Sequence, residues 1–145
     1  MLDNAVRFAP RPDSQPRRTT LRFDGGSYAE IAGGNDFDMT GSDFTISARL
    51  KTTHGGTILA QTRPDGDWVR NGKALFIRRG RLCYDIGWVG VVESNQKIDD
   101  SRWHTVALRW THSGGLAELF IDGQPSGSRP LVPAAKLKIP VLRLG

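Results

Sequence analysis

The 145-residue sequence predicts an all-β fold, an antiparallel two-sheet β-sandwich. Three observations carry that prediction. The stretch Trp103–Gly123 holds two alternating runs around His112-Ser113-Gly114-Gly115, the pattern of a β-hairpin with glycines for positive φ at the reversal. Runs of strand length, bounded by glycine or polar turn residues, recur about every 8–12 residues, as they do in sandwiches. No stretch shows the 3.6-residue period of an amphipathic helix, and Pro125, Pro130, Pro133 and Pro140 oppose a helix after Gly123.

Residues 1–20 carry three prolines and four arginines and read as a basic leader or linker, with one short strand expected at Ala5–Phe8. The body, residues 21–145, begins at Leu21–Phe23, turns at Asp24-Gly25-Gly26 and enters a short strand at Tyr28–Ile31. Phe44–Thr52 alternates cleanly: Phe44, Ile46, Ala48 and Leu50 belong to a buried face, Thr45, Ser47, Arg49 and Lys51 to a wet one. Thr57–Gln61 is the next strand, followed by a polar loop over Thr62–Gly72. Lys73–Ile77 and Arg81–Ile86 form a hairpin around Arg78-Arg79-Gly80. Val89–Ser94 is a strand and Lys97–Arg102 a polar bend. In the central hairpin, Val106, Leu108 and Trp110 share one face, as do Ala117, Leu119 and Ile121; Trp103 and Trp110 are both expected in the core. A last strand is expected at Val141–Leu144.

Composition bounds the function. One domain of this length buries a core without staples. No run approaches the ~18 apolar residues of a membrane span, and the first residues lack the apolar core of a signal peptide, which leaves a cytoplasmic protein or a domain cut from a larger secreted one. The single cysteine, Cys83, excludes an internal disulfide and reads as a buried structural thiol. The net charge of +5 resides in the flanks: +2 over residues 1–20, +4 over 124–145 and −1 over 21–123. A nucleic-acid binder would carry its basic face on the folded body, so nucleic acid is disfavoured as a partner.

Trp103-His104-Thr105-Val106-Ala107-Leu108, a glycine turn and then Leu119-Phe120-Ile121-Asp122-Gly123 resemble the central hairpin of laminin-G-like, concanavalin A-like jelly rolls. Further matches run in order through Leu21–Ile31, Asp43–Thr52, Gly55–Thr62 and, more weakly, Gly80–Gly87. The resemblance implies a jelly-roll sandwich and an extracellular or cell-surface bacterial setting. It also implies a structural role for His104. Related domains continue past a Val-Leu-Arg-Leu-Gly strand into one more strand. The resemblance therefore raises three alternatives: a domain cut short at its C-terminal end, pairing supplied by the N-terminal residues, or an open sheet edge left for a partner strand. It implies a calcium ion (Ca2+) near Asp24 and Gly25, without the usual ligand from the later strand. It does not fix a function, because one fold serves sugar binders, protein binders and accessory domains.

Catalysis finds no support in the residues. Retaining glycosidases need two carboxyl groups about 5 Å apart, whereas Glu30, Glu93 and Glu118 stand isolated in the sequence. The three histidines have no metal-ligand spacing, and no nucleophile elbow is present. Carbohydrate binding fits better. Residues 63–81 hold six basic side chains against Asp65 and Asp67, a local +4. Trp68 lies in that polar loop, and Tyr84, Asp85 and Trp88 follow. Aromatic faces stack on sugar rings and arginines recognise carboxylate or sulfate. The expected site is therefore Trp68, Arg70, Arg78, Tyr84, Asp85 and Trp88, in a non-catalytic module for acidic glycans, supported by calcium. The alternative is a protein-binding or self-assembly domain that uses an open sheet edge or the basic tails.

Overall fold

The computed structural model describes residues 19–33, 36–138 and 140–145. The expected strand at Ala5–Phe8 lies outside them. The chain forms ten strands: β1 (Ala29–Ile31), β2 (Phe44–Leu50), β3 (Gly56–Thr62), β4 (Lys73–Arg78), β5 (Arg81–Ile86), β6 (Gly90–Lys97), β7 (His104–Thr111), β8 (Leu116–Ile121), β9 (Gln124–Pro130) and β10 (Val141–Leu144). A six-stranded sheet has the order β1-β10-β3-β4-β5-β6, and a four-stranded sheet the order β2-β7-β8-β9; every pairing is antiparallel. No α-helix occurs among the described residues.

Period-2 alternation assigns the core strands one inward face. Leu75 and Ile77 of β4, Leu82, Tyr84 and Ile86 of β5, Val106, Leu108 and Trp110 of β7 and Ala117, Leu119 and Ile121 of β8 meet in one core. Phe44, Ile46, Ala48 and Leu50 of β2 pack against it as the alternation requires. Trp110 stacks on Phe44 with centroids 5.6 Å apart, and its indole N–H donates to the Leu131 carbonyl at 3.0 Å. Trp103 is a correction. It precedes β7 and stands 45% exposed, with the Arg49 guanidinium 5.3 Å from its ring.

One element departs from expectation. Gln124–Pro130 is a strand, although its Pro-Ser-Gly-Ser-Arg-Pro sequence reads as loop. It is an edge strand, where proline costs no central ladder bond. It is also tied to the edge of the other sheet: the Ser126 hydroxyl accepts the Asn95 and Gln96 N–H groups at 3.2 and 3.3 Å, and the Arg129 guanidinium donates to the Val91 carbonyl at 2.9 Å. β9 and β6 thus close one side of the sandwich. The last strand, β10, is not an open edge, because β1 pairs with it through Ala29–Leu144, Glu30–Arg143 and Ile31–Leu142.

The Trp-His and Asp-Gly motifs close a clasp. His104 is buried at the start of β7, with Nδ1 2.7 Å from an Asp122 carboxylate oxygen and Nε2 3.0 Å from one of Asp100. Asp122 also accepts the Thr105 N–H at 2.8 Å and donates its own N–H to the Thr105 carbonyl at 2.7 Å. Two carboxylates on two ring nitrogens favour the imidazolium: the Asp122 hydrogen bond, then that of Asp100, raises the His104 pKa against the opposing effect of burial. Conversely, His104 and the Thr105 N–H lower that of Asp122, and Arg102 followed by His104 lowers that of Asp100.

The sign of the pH dependence follows. A raised histidine contributes fully below its unfolded value of about 6.5, and the contribution is lost as pH rises through the folded value; the lowered aspartates contribute above about 3.9 and are lost below it. Stability from the clasp is therefore greatest between about pH 4 and 6.5. Denaturant titrations from pH 6 to 8 are expected to show stability falling with pH, and His104→Asn to be less stable but flat over that range. A wild-type profile flat from pH 6 to 8 would contradict the clasp.

Candidate functional site

The loop after β3 and the β5–β6 turn are stitched together through backbone. The Asn71 N–H donates to the Gly87 carbonyl at 3.0 Å, the Gly87 N–H to the Gly72 carbonyl at 2.8 Å, and the Gly72 N–H to the Val69 carbonyl at 2.9 Å. Gly87 is required here, because a Cβ on it would overlap the Val69 carbonyl oxygen. Gly72 leaves room for the Trp68 ring, which a Cβ would meet at 3.3 Å. Asn71 is buried at φ 62, and its side-chain oxygen accepts the Ala134 N–H at 2.9 Å. Beneath it, Lys73 is fully buried on the inward face of β4 and donates to the Asn71 carbonyl at 3.1 Å; burial lowers its pKa to about 8.

This scaffold presents two tryptophans. Trp88 sits at the third position of the turn closed by the Val89 N–H on the Ile86 carbonyl at 2.8 Å, with φ 59 and 70% of its surface exposed. A bulky residue in the left-handed region costs about 1–2 kcal/mol, and such outliers persist where the surroundings over-determine them, often at functional positions. Trp68 is 43% exposed. Together with Asp85, Val89, Gly90 and Val91 they line an open depression of about 430 Å³. Asp85 projects from the outward face of β5, and burial raises its carboxyl pKa while Arg78 opposes the rise.

The structure therefore brings together three of the six expected residues, Trp68, Asp85 and Trp88. Tyr84 is a correction. It is 0% exposed because it shares the inward parity of Leu82 and Ile86, and it cannot meet a surface ligand. Its hydroxyl has no hydrogen-bond partner among the described residues. The excess of positive charge does not converge on the depression either. Arg78 is ion-paired with Glu93, Arg63 with Asp65 at 2.9 Å, and Arg81 donates to the Ser94 and Asn95 carbonyls. Arg70 is exposed in the loop, has no ion pair among the described residues and is not among the lining residues. Among the described residues, Asp85 is the one charged residue that lines it. Cys83 is buried, and burial raises its pKa.

Asp24 and Gly25 form a turn on the other side of the sequence from this scaffold. An Asp24 carboxylate oxygen accepts the Gly26 N–H at 3.0 Å and the Ser27 hydroxyl at 3.1 Å, which lowers its pKa, and Gly25 takes φ 87. Calcium needs about six to eight oxygens. Among the described residues no three His, Cys, Asp or Glu side chains gather as a metal site, at Asp24 or elsewhere. No helix of the described residues is long and apolar enough to cross a membrane.

The sequence profile of the concanavalin A-like lectin/glucanases superfamily matches residues 23–145, and the chain belongs to that family as a laminin-G-like jelly roll. The chain is 23% identical to human laminin subunit alpha-3 over 138 residues, which cover 92% of this chain and 4% of that protein. It is 40% identical over 48 residues to the rat sushi, von Willebrand factor type A, EGF and pentraxin domain-containing protein 1, 29% of this chain and 1% of that protein. The chain thus spans a few per cent of the curated relatives it matches. Among solved structures it is similar to domains LG4-5 of the mouse laminin alpha1 chain (TM-score 0.61, 21% identity, 82% of this chain, 32% of that one). It is also similar to the heptameric SAP-like pentraxin of Limulus polyphemus (TM-score 0.55, 16% identity, 73% of this chain, 52% of that one). At these identities the likeness shows the fold.

Two substitutions test the placements. Trp88→Gly relieves the left-handed strain at an exposed position and is expected to raise unfolding stability by up to ~1 kcal/mol; a loss of that size would mean the ring anchors the turn. Tyr84→Phe removes an unpaired buried hydroxyl and is expected to be neutral or stabilising by ~1 kcal/mol in denaturant titrations. A clear loss would show that the hydroxyl is bonded.

Proposed function

We propose that this domain is a non-catalytic carbohydrate-binding module whose site is the Trp68–Trp88 depression. The observation that carries the reading is Trp88: a large aromatic held 70% exposed, at φ 59, on a turn fixed by backbone hydrogen bonds. Core packing does not account for a ring in that position. The apolar face of a pyranose stacks on such a ring, and Asp85 beside it offers carboxylate oxygens to sugar hydroxyls. A sugar loses little by meeting side chains that are already placed.

The chemistry of the lining favours neutral over acidic sugars. The charge at the depression is the Asp85 carboxylate; of the arginines that suggested anionic ligands, Arg63, Arg78 and Arg81 are held by Asp65, Glu93 and main-chain carbonyls, and Arg70 is not among the lining residues. Catalysis has no support from the site, since among the described residues a single carboxylate lines it and glycoside hydrolysis uses a pair.

The test is titration calorimetry against neutral and acidic oligosaccharides, with and without calcium, chosen by a broad glycan array. Saturable binding of a neutral glycan is expected, weakened by Trp88→Ala at least ~30-fold, the equivalent of about 2 kcal/mol for a central anchor. Absence of saturable binding across the array would sink the reading, as would binding indifferent to Trp88→Ala. In either case the oligomeric mass would be the next measurement, for the self-assembly alternative.

A further inference from the structure

We infer that the carbohydrate site continues along the β6–β9 seam, so that the ligand is an extended oligosaccharide chain and Arg129 reads a ring beyond the one on the tryptophans; the inference rests on the carbohydrate reading of the Trp68–Trp88 depression. A second open groove, of about 480 Å³, runs where the edges of the two sheets meet. It shares a wall with the first, because Val91 lines both. Each volume lies within the ~300–1,000 Å³ of small-ligand sites, so the two in series exceed what one sugar needs.

Arg129 stands at the junction. A Cβ on Gly90, which lines the tryptophan depression, would lie 3.5 Å from the Arg129 guanidinium carbon. The guanidinium donates one bond to the Val91 carbonyl at 2.9 Å and has no carboxylate partner among the described residues. A guanidinium has five N–H donors in a fixed fork, so several remain for ligand oxygens. The two carboxylates along the groove are compensated, Glu93 by Arg78 and Glu118 by Arg109 at 2.8 Å. They are held as oriented acceptors and do not repel a neutral polyol.

The groove is rigid for reasons independent of any ligand. The Ser126 hydroxyl caps two N–H groups of β6. Gly127 at φ 132 lets β9 approach so closely that a Cβ would overlap the Glu93 carbonyl oxygen. A wall fixed in this way keeps the second set of polar groups at a constant spacing from the tryptophans. Constant spacing between subsites suits a chain of linked rings.

The experiment is calorimetry on the full chain with β-1,4-linked gluco-, N-acetylgluco- and manno-oligosaccharides of one to six units. In the series that binds, affinity is expected to rise at least tenfold between one and four units and then level off. Arg129→Ala, and Ser128→Tyr, which fills the seam, should each remove most of that rise, with thermal unfolding confirming that the variants fold. Trp88→Ala should weaken every length alike. Length-independent binding, or a length gain that survives both seam variants, overturns the extended site and leaves the tryptophan site standing. Failure of every length to bind, together with absence of saturable binding across the glycan array, overturns both.

Discussion

Among the described residues every strand but β9 gives one face to a shared core, and that constraint decides where anything else can be placed. Leu82, Tyr84 and Ile86 must point inward together, so Arg81, Cys83 and Asp85 must point outward together. The inward positions admit Lys73 because its ammonium reaches the Asn71 carbonyl, and His104 because two carboxylates meet it. A buried cation without such partners would be costly. Chemistry that has to meet solvent is confined to the turns, the sheet edges and the outward faces. The tryptophan depression lies at a turn, and the seam groove lies along two edges.

Backbone proximity does the fine positioning. Gly87 brings the β5–β6 turn against the loop of Val69 to Gly72, and Gly127 brings β9 against β6. At both places a side chain would collide with a main-chain oxygen, so glycine there is a packing requirement and not a source of flexibility. The bonds across the first contact fix Trp68 and Trp88 relative to each other. Those across the second satisfy the main-chain groups of β6 that its own sheet leaves unpaired, which also blunts an edge that could otherwise recruit a foreign strand.

The architecture was largely legible because alternation is a direct consequence of strand geometry. Phe44 to Leu50, the central hairpin and the β4–β5 hairpin all appear where period-2 patterning places them. β9 was not legible: Gln-Pro-Ser-Gly-Ser-Arg-Pro has turn composition, and its strand conformation is imposed by β8 on one side and by Ser126 and Arg129 reaching β6. Within the site, Trp68, Asp85 and Trp88 could be singled out because none suited the core pattern. Tyr84 was misplaced although its parity with Leu82 and Ile86 already assigned it inward. Trp103 was misplaced for the opposite reason, since its parity with Thr105 and Arg109 assigned it outward. Asn71 left a weaker trace, an Asn-Gly pair that commonly marks left-handed backbone. Arg129 left none, since its place at the junction exists only after two sheets have met.

An exposed tryptophan in left-handed backbone is an expense borne by folding, and on the proposed reading its consequence falls on binding. The conformational cost is met once, by the hydrogen bonds of the turn and by the core beneath it. A ligand that arrives later does not have to order the ring. Aromatic side chains suit this role because they offer a large face while giving up only two torsions. The same reasoning applies to Arg129, whose guanidinium is already held on the Val91 carbonyl. A flexible arginine would lose rotamer freedom on meeting a sugar, by about 0.5–1.5 kcal/mol; a tethered one loses less. Rigid aromatic face and tethered guanidinium, joined by the common wall at Val91, make the turn and the seam one continuous preformed surface.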